Sequence, residues 1–150
     1  MFKKILYPTD FSDGAKNALK YIIKLKEAGT EEVIILNIIH GLESESIRDG
    51  CIRAGLVTKE VIADIYGDAI KNETNKAEKI LKEIKAEGLE GSILIEVGDP
   101  ASRILEISNK NNVSLIVMGA YGKNKNIEFL VGSVTDKVYR HAKVPVLIVR

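Results

Sequence analysis

Gly119, Gly122 and Gly132, the last followed by Ser133, have the residue types and spacing of an anion cradle. Glycine lets backbone N–H groups turn toward a ligand where a Cβ would obstruct them. A helix start adds unpaired N–H donors and positive partial charge. The glycines follow the apolar run Leu115-Ile116-Val117-Met118 and precede a helical stretch, so the segment reads as strand, glycine loop, helix. Phosphate is the anion such a loop would hold. A plainer reading stands beside it. Ser133 and Asp136 fit the Ser/Thr-x-x-Asp/Glu capping pattern, which makes the same residues a serine-capped helix after an ordinary glycine-rich connection.

Two better-known nucleotide motifs do not fit. A P-loop needs Gly-x4-Gly-Lys followed by Ser or Thr, whereas only two residues separate Gly119 from Gly122-Lys123, and Asn124 follows. The Gly-x-Gly-x2-Gly dinucleotide pattern is absent as well. Lys123 and Lys125 offer charge to a phosphate, and Lys123 reads equally as a solvated loop lysine. Phosphoryl transfer needs groups that hold a metal and place the attacking water. Asp10 is the one candidate for such work, and ordering the turn into the first helix is an equal role for it. His40 and His141 are too isolated in sequence to form a base or metal pair, and Cys51 has no activating neighbour. The residues therefore describe binding without efficient turnover.

The elements that must position these residues alternate along the chain. Phe2 to Tyr7 reads as a first strand stopped by Pro8, and Thr9-Asp10-Phe11-Ser12 brings turn and cap chemistry before a helix. That helix places Ala15, Ala18, Leu19, Ile22 and Ile23 on one face and stops at Gly29. Val33 to Ile39 is almost continuously apolar, as in a strand covered on both faces. The segment 40–57 is too long for a routine connection and reads as a loop or lid. A long helix begins near Thr58, with Val61, Ile62, Ile65 and Ala69 as one stripe and Ala77, Ile80, Leu81 and Ile84 as another. A bend is expected between them at Gly67 or Asn72-Glu73. Ile93 to Val97 is a third strand, Asp99 caps the next helix with Pro100 in its first position, and that helix runs through Asn109. Leu115 to Met118, a helix from Val134 to His141 and a strand from Val144 to Val149 complete a βαβαβαβαβ order. Such alternation predicts one α/β domain over residues 1–150, with a mainly parallel sheet covered by helices on both faces. Ligands of these sheets bind beyond the carboxyl ends of the strands, where Thr9, Asp10, His40, Asp99 and the glycine loop all fall.

Composition narrows the partners. Twenty-two basic and 21 acidic residues give a net charge of +1, without the broad positive field of nonspecific nucleic-acid binding. No apolar run approaches membrane-spanning length, and Ile5-Leu6-Tyr7 is too short for a signal peptide. A single cysteine agrees with a reducing compartment, so the expected location is the cytoplasm.

The whole chain resembles the nucleotide-binding branch of the universal stress protein family. The likeness rests on Ile5-Leu6-Tyr7-Pro8-Thr9-Asp10-Phe11-Ser12, on Gly98-Asp99-Pro100, on Gly119, Gly122, Gly132 and Ser133, and on Pro145-Val146-Leu147-Ile148-Val149. The resemblance implies a Rossmann-like sheet ordered 3-2-1-4-5, with ATP, carried with Mg2+, as the ligand. It implies adenine near Pro8, Thr9, Asp10 and Ile38, and phosphates on the glycine loop, from Met118 and Gly119 through Tyr121, Gly122 and Lys123 to Gly132, Ser133 and Val134. Ala120-Tyr121 departs from the Ser or Thr followed by His or Arg that such members often carry, which removes a hydroxyl contact. It also implies a homodimer joined at the last strand. Three functions follow as expectations: a nucleotide-dependent regulatory module of the stress response, a slow ATPase acting as a timer, or an interaction module whose site is empty or holds another phosphorylated ligand such as FMN.

Overall fold

The computed structural model describes residues 1–41, 53–56, 58–121 and 131–150. Its elements are β1 (Lys4–Pro8), α1 (Asp13–Leu25), β2 (Glu32–His40), α2 (Lys59–Ala86), β3 (Glu90–Gly98), α3 (Pro100–Lys110), β4 (Leu115–Gly119), α4 (Ser133–His141) and β5 (Val146–Val149). A short 3-10 turn, Lys26–Ala28, closes α1 before Gly29 at φ 94°, in the left-handed region that glycine enters without strain. The five strands form one parallel sheet in the order β3-β2-β1-β4-β5. The expected sheet order is therefore the observed one.

Period-two alternation along the inner strands divides the core in two. Ile5, Tyr7, Val33 and Ile35 pack with Ala18, Leu19 and Ile22 of α1 and with Ala77, Ile80 and Ile84 of α2. Leu6, Ile34, Leu36, Ile116 and Met118 pack on the other face with Ala101, Ile104 and Ile107 of α3 and Val138 of α4. Each fully buried aliphatic side chain contributes roughly 1.5–3 kcal/mol, so β1 and β2, apolar on both faces, are the fixed centre of the molecule.

Several local expectations are corrected. β1 begins at Lys4 rather than Phe2 and takes in Pro8 as its last residue, in register with Leu36, and the next ladder bond runs from Thr9 N to the Leu36 carbonyl at 2.8 Å. α2 continues unbroken through Gly67 and Asn72-Glu73 as one helix of 28 residues, since a lone exposed Gly67 costs only about 1 kcal/mol in a helix. Its first stripe is not a buried one at Val61, which is 45% exposed. β3 extends from Glu90 to Gly98, since β2 offers it nine successive partners. Most of the proposed loop or lid at 40–57 lies outside the described residues.

Candidate functional site

A crevice opens where the strand order reverses. β1 pairs with β2 over all five of its residues, but with β4 only at Ile5–Leu115 and Leu6–Ile116. Beyond Leu6 the two strands part, and the chain leaves β1 toward α1 and β4 toward α4, on opposite faces of the sheet. This is the point at which open α/β sheets receive ligands.

The β1 side of the crevice is held from below. Thr9 is buried, and its carbonyl accepts a hydrogen bond from Asn37 Nδ2 at 2.9 Å. Its hydroxyl accepts from Phe11 N at 3.1 Å, and Asp10 Oδ1 accepts from Ser12 N at 3.0 Å. Phe11 sits at φ 61°, an unusual conformation for an aromatic residue, with the Lys76 ammonium 5.6 Å from the centre of its ring. Ser12 then caps α1 by accepting from Ala15 N. Beneath them the Tyr7 phenol donates to the Ala15 carbonyl at 2.6 Å. Burial pushes the Tyr7 phenol up to about 12, against a hydrogen bond with Thr9 that pulls it down. Asn37 Oδ1 is buried with no hydrogen-bond partner among the described residues.

The β4 side is held by backbone contact. A Cβ on Gly119 would lie 2.9 Å from the Gly14 carbonyl carbon and 3.0 Å from its oxygen, and one on Gly14 would lie 3.0 Å from the Tyr121 carbonyl oxygen. The two glycines thus let the end of β4 lie directly on the start of α1. Gly132 N donates to the Ala120 carbonyl at 2.8 Å, and the buried Thr135 hydroxyl donates to the Gly119 carbonyl at 3.0 Å. These bonds dock the start of α4 on the end of β4.

The expected serine cap is not there. Gly132 occupies the N-cap position and no side chain caps α4, because Ser133 is already inside the helix with its side chain exposed. The other α-helices are capped by Ser12, Thr58 and Asp99. Bonds from the amide and hydroxyl of Ser102 hold the Asp99 carboxyl below its ordinary value. At α4 the first-turn N–H groups have no such side-chain cap among the described residues, and they carry the positive end of the helix dipole.

The structure places Pro8, Thr9, Asp10 and Ile38 at one side of the crevice, and Met118, Gly119 and Tyr121 with Gly132, Ser133 and Val134 at the other. Ile38 and Val134 are partly buried against the same core cluster as Met118. Gly122, Lys123 and Lys125 lie outside the described residues. His40 and His141 are exposed. Sequence reasoning missed Asn37, Thr135 and Gly14. Asn37 was visible as a polar residue within the apolar run of β2; the close approach that requires Gly14 has no sequence signal.

A parallel sheet in this order, with a crevice at its reversal and an uncapped helix beside it, defines a Rossmann-like α/β domain. The chain matches the universal stress protein family over residues 1–150 and belongs to it. It is 36% identical to the universal stress protein MJ0577 of Methanocaldococcus jannaschii, over 100% of this chain and 96% of that protein. The solved structure of MJ0577 superposes with a TM-score of 0.83, covering 99% of this chain and 96% of the other. Two more distant structures share the fold: a universal stress protein in complex with cAMP, at 22% identity and TM-score 0.62 over 99% of this chain and 97% of that one, and the Archaeoglobus fulgidus protein in complex with dAMP, at 20% and 0.60 over 100% and 98%.

Proposed function

We propose that the chain is an ATP-binding regulatory module of the stress response, in which occupancy of the β1–β4 crevice is read by protein partners. Adenine lies against Pro8, Thr9, Asp10 and Ile38, and the phosphates meet the glycine loop and the Ser133-Val134 start of α4. The observation that carries this reading is the start of α4 at the switch point, uncapped among the described residues, because a helix N-terminus beside a sheet crevice favours an anion. Complexes of the same fold with cAMP and dAMP agree with an adenine nucleotide as the class of ligand. No group of three or more His, Cys, Asp or Glu side chains converges among the described residues, so Mg2+ would arrive with the triphosphate rather than in a protein cage.

Turnover is slow in this reading. Asp10 is the one acid at the crevice edge with a candidate role in hydrolysis, and its Oδ1 is engaged in the turn at Ser12. The working unit is a cytoplasmic homodimer joined at β5, the sheet edge, where Val146 and Ile148 remain partly exposed. Thermal unfolding tests the proposal. At a hundred times its dissociation constant ATP adds about 2.7 kcal/mol to stability. A clear upward shift of Tm with millimolar ATP is expected in ligand-free protein. An unchanged Tm would refute the assignment.

A further inference from the structure

A second cleft, of about 590 Å³, lies on the α1 side of the sheet, lined by Asp13, Gly14, Lys16, Asn17, Lys20, Tyr121 and Arg150. Its size is within the range of small-molecule sites. Three of its side chains are cationic and only Asp13 is acidic. Some surface cations pair, as Lys3, Lys4, Lys76, Lys110 and Arg140 do with Glu31, Glu32, Glu73, Glu106 and Asp136, and others among the described residues, such as Lys79, Lys82 and Lys143, do not. Among the described residues Lys16, Lys20 and Arg150 make no ion pair.

Their placement works against the stability of the free protein. Lys16 falls in the first turn of α1, where the helix dipole disfavours a cation, and Lys20 stands one turn on, where two like charges repel. Asn17 Nδ2 donates to the Arg150 carbonyl at 2.7 Å, which fixes the strand end against the helix and brings the third cation to the same cleft. Three cations against the one side-chain carboxylate of Asp13 leave the cleft with an excess of positive charge, which a bound anion would neutralise.

We infer that the Lys16, Lys20 and Arg150 cleft is a second anion site, which takes a small condensed phosphate. Lysines at i and i+4 present two point charges about 5–6 Å apart at their Cβ atoms, suited to successive phosphoryl groups, and the arginine adds a fork for paired oxygens. The cleft adjoins the nucleotide crevice at Tyr121, but its cations play no part in the nucleotide reading and the inference does not rest on it.

Inorganic tripolyphosphate titrated into the full-length protein at low salt tests the inference, followed by calorimetry and by amide chemical shifts. Saturable binding is expected, with shifts centred on Lys16, Asn17, Lys20 and Arg150. The Lys16→Ala/Lys20→Ala double variant should bind roughly tenfold or more weakly, as loss of charged hydrogen-bond donors implies, while keeping wild-type affinity for ATP. Gly132→Val, which blocks the nucleotide site, should leave tripolyphosphate binding intact, so the two readings fail separately. Lys16→Gln/Lys20→Gln, which retains helix-forming side chains, should show the same loss. Unchanged tripolyphosphate affinity in folded double variants, shifts confined to Ser133 and Val134, or no saturation at millimolar concentration would each overturn the inference.

Discussion

Thr135 and Gly119 show how single residues hold the crevice open. The Thr135 hydroxyl is the side-chain donor to the Gly119 carbonyl, in a buried setting where an unmatched acceptor costs about 1–3 kcal/mol. Thr135→Val keeps the shape and removes the donor, so chemical denaturation should show a loss of about 1–2 kcal/mol, with weaker ATP binding because the start of α4 is loosened. At Tyr7 the consequence is a pH dependence. The folded phenol is raised to about 12, above its ordinary value of 10.0, so its contribution is intact below pH 10 and is lost as pH rises from about 10 through 12. Two units correspond to roughly 2.7 kcal/mol. Denaturation measured across this window should fall more steeply in the wild type than in Tyr7→Phe; parallel curves would contradict the buried phenol.

Among the elements, α4 differs from α1, α2 and α3 in having no side-chain cap. The sequence misleads here, because Ser133 and Asp136 have capping spacing while the helix already begins at Ser133, with Gly132 in the N-cap position. Local pattern cannot see that the Gly132 N–H is drawn back to the Ala120 carbonyl, which sets where the helix starts. The caps at Ser12 and Asp99 were legible because each stands directly before a helical pattern, with turn residues or a proline to mark the boundary. The difference gives a prediction. Ser133→Asp puts a negative charge in the first turn of α4, which should stabilise the ligand-free protein by about 0.3–1 kcal/mol and weaken ATP binding by repelling the phosphates. Thermal unfolding with and without ATP reads both effects, and a variant that binds ATP as well as the wild type would place the phosphates elsewhere. Ser133→Ala should leave stability nearly unchanged, since the hydroxyl caps nothing.

Across the whole molecule, alternation of apolar strands with one-faced helices was enough to read the parallel sheet, and the resemblance supplied its order. The parting of β1 from β4 after Leu6 was not legible, since it depends on how two strands distant in sequence diverge toward opposite faces. The same long-range ignorance hid Gly14, whose absent side chain matters only because Tyr121 returns to it. At the sheet edge, β5 leaves Val146, Leu147 and Ile148 partly exposed, and a hollow of about 450 Å³ beside it is lined by Tyr21, Val131, Leu147 and Ile148 among others. An apolar edge strand is a template for pairing, and antiparallel pairing about a two-fold axis would bury it in both copies. Sedimentation at tens of micromolar should therefore give twice the 16.5 kDa chain mass, and Val146→Lys with Ile148→Lys should give a monomer. A wild-type mass of one chain would rule the dimer out.

In the proposed complex ATP occupies the β1–β4 crevice, with its phosphates at the start of α4. Amide chemical shifts of isotopically labelled, ligand-free protein titrated with Mg2+-ATP test it most directly. Saturable shifts are expected, largest at Thr9, Asp10, Ile38, Gly119, Gly132, Ser133 and Val134. No saturable change at millimolar ATP, or shifts gathered away from both strand ends and the start of α4, would contradict it.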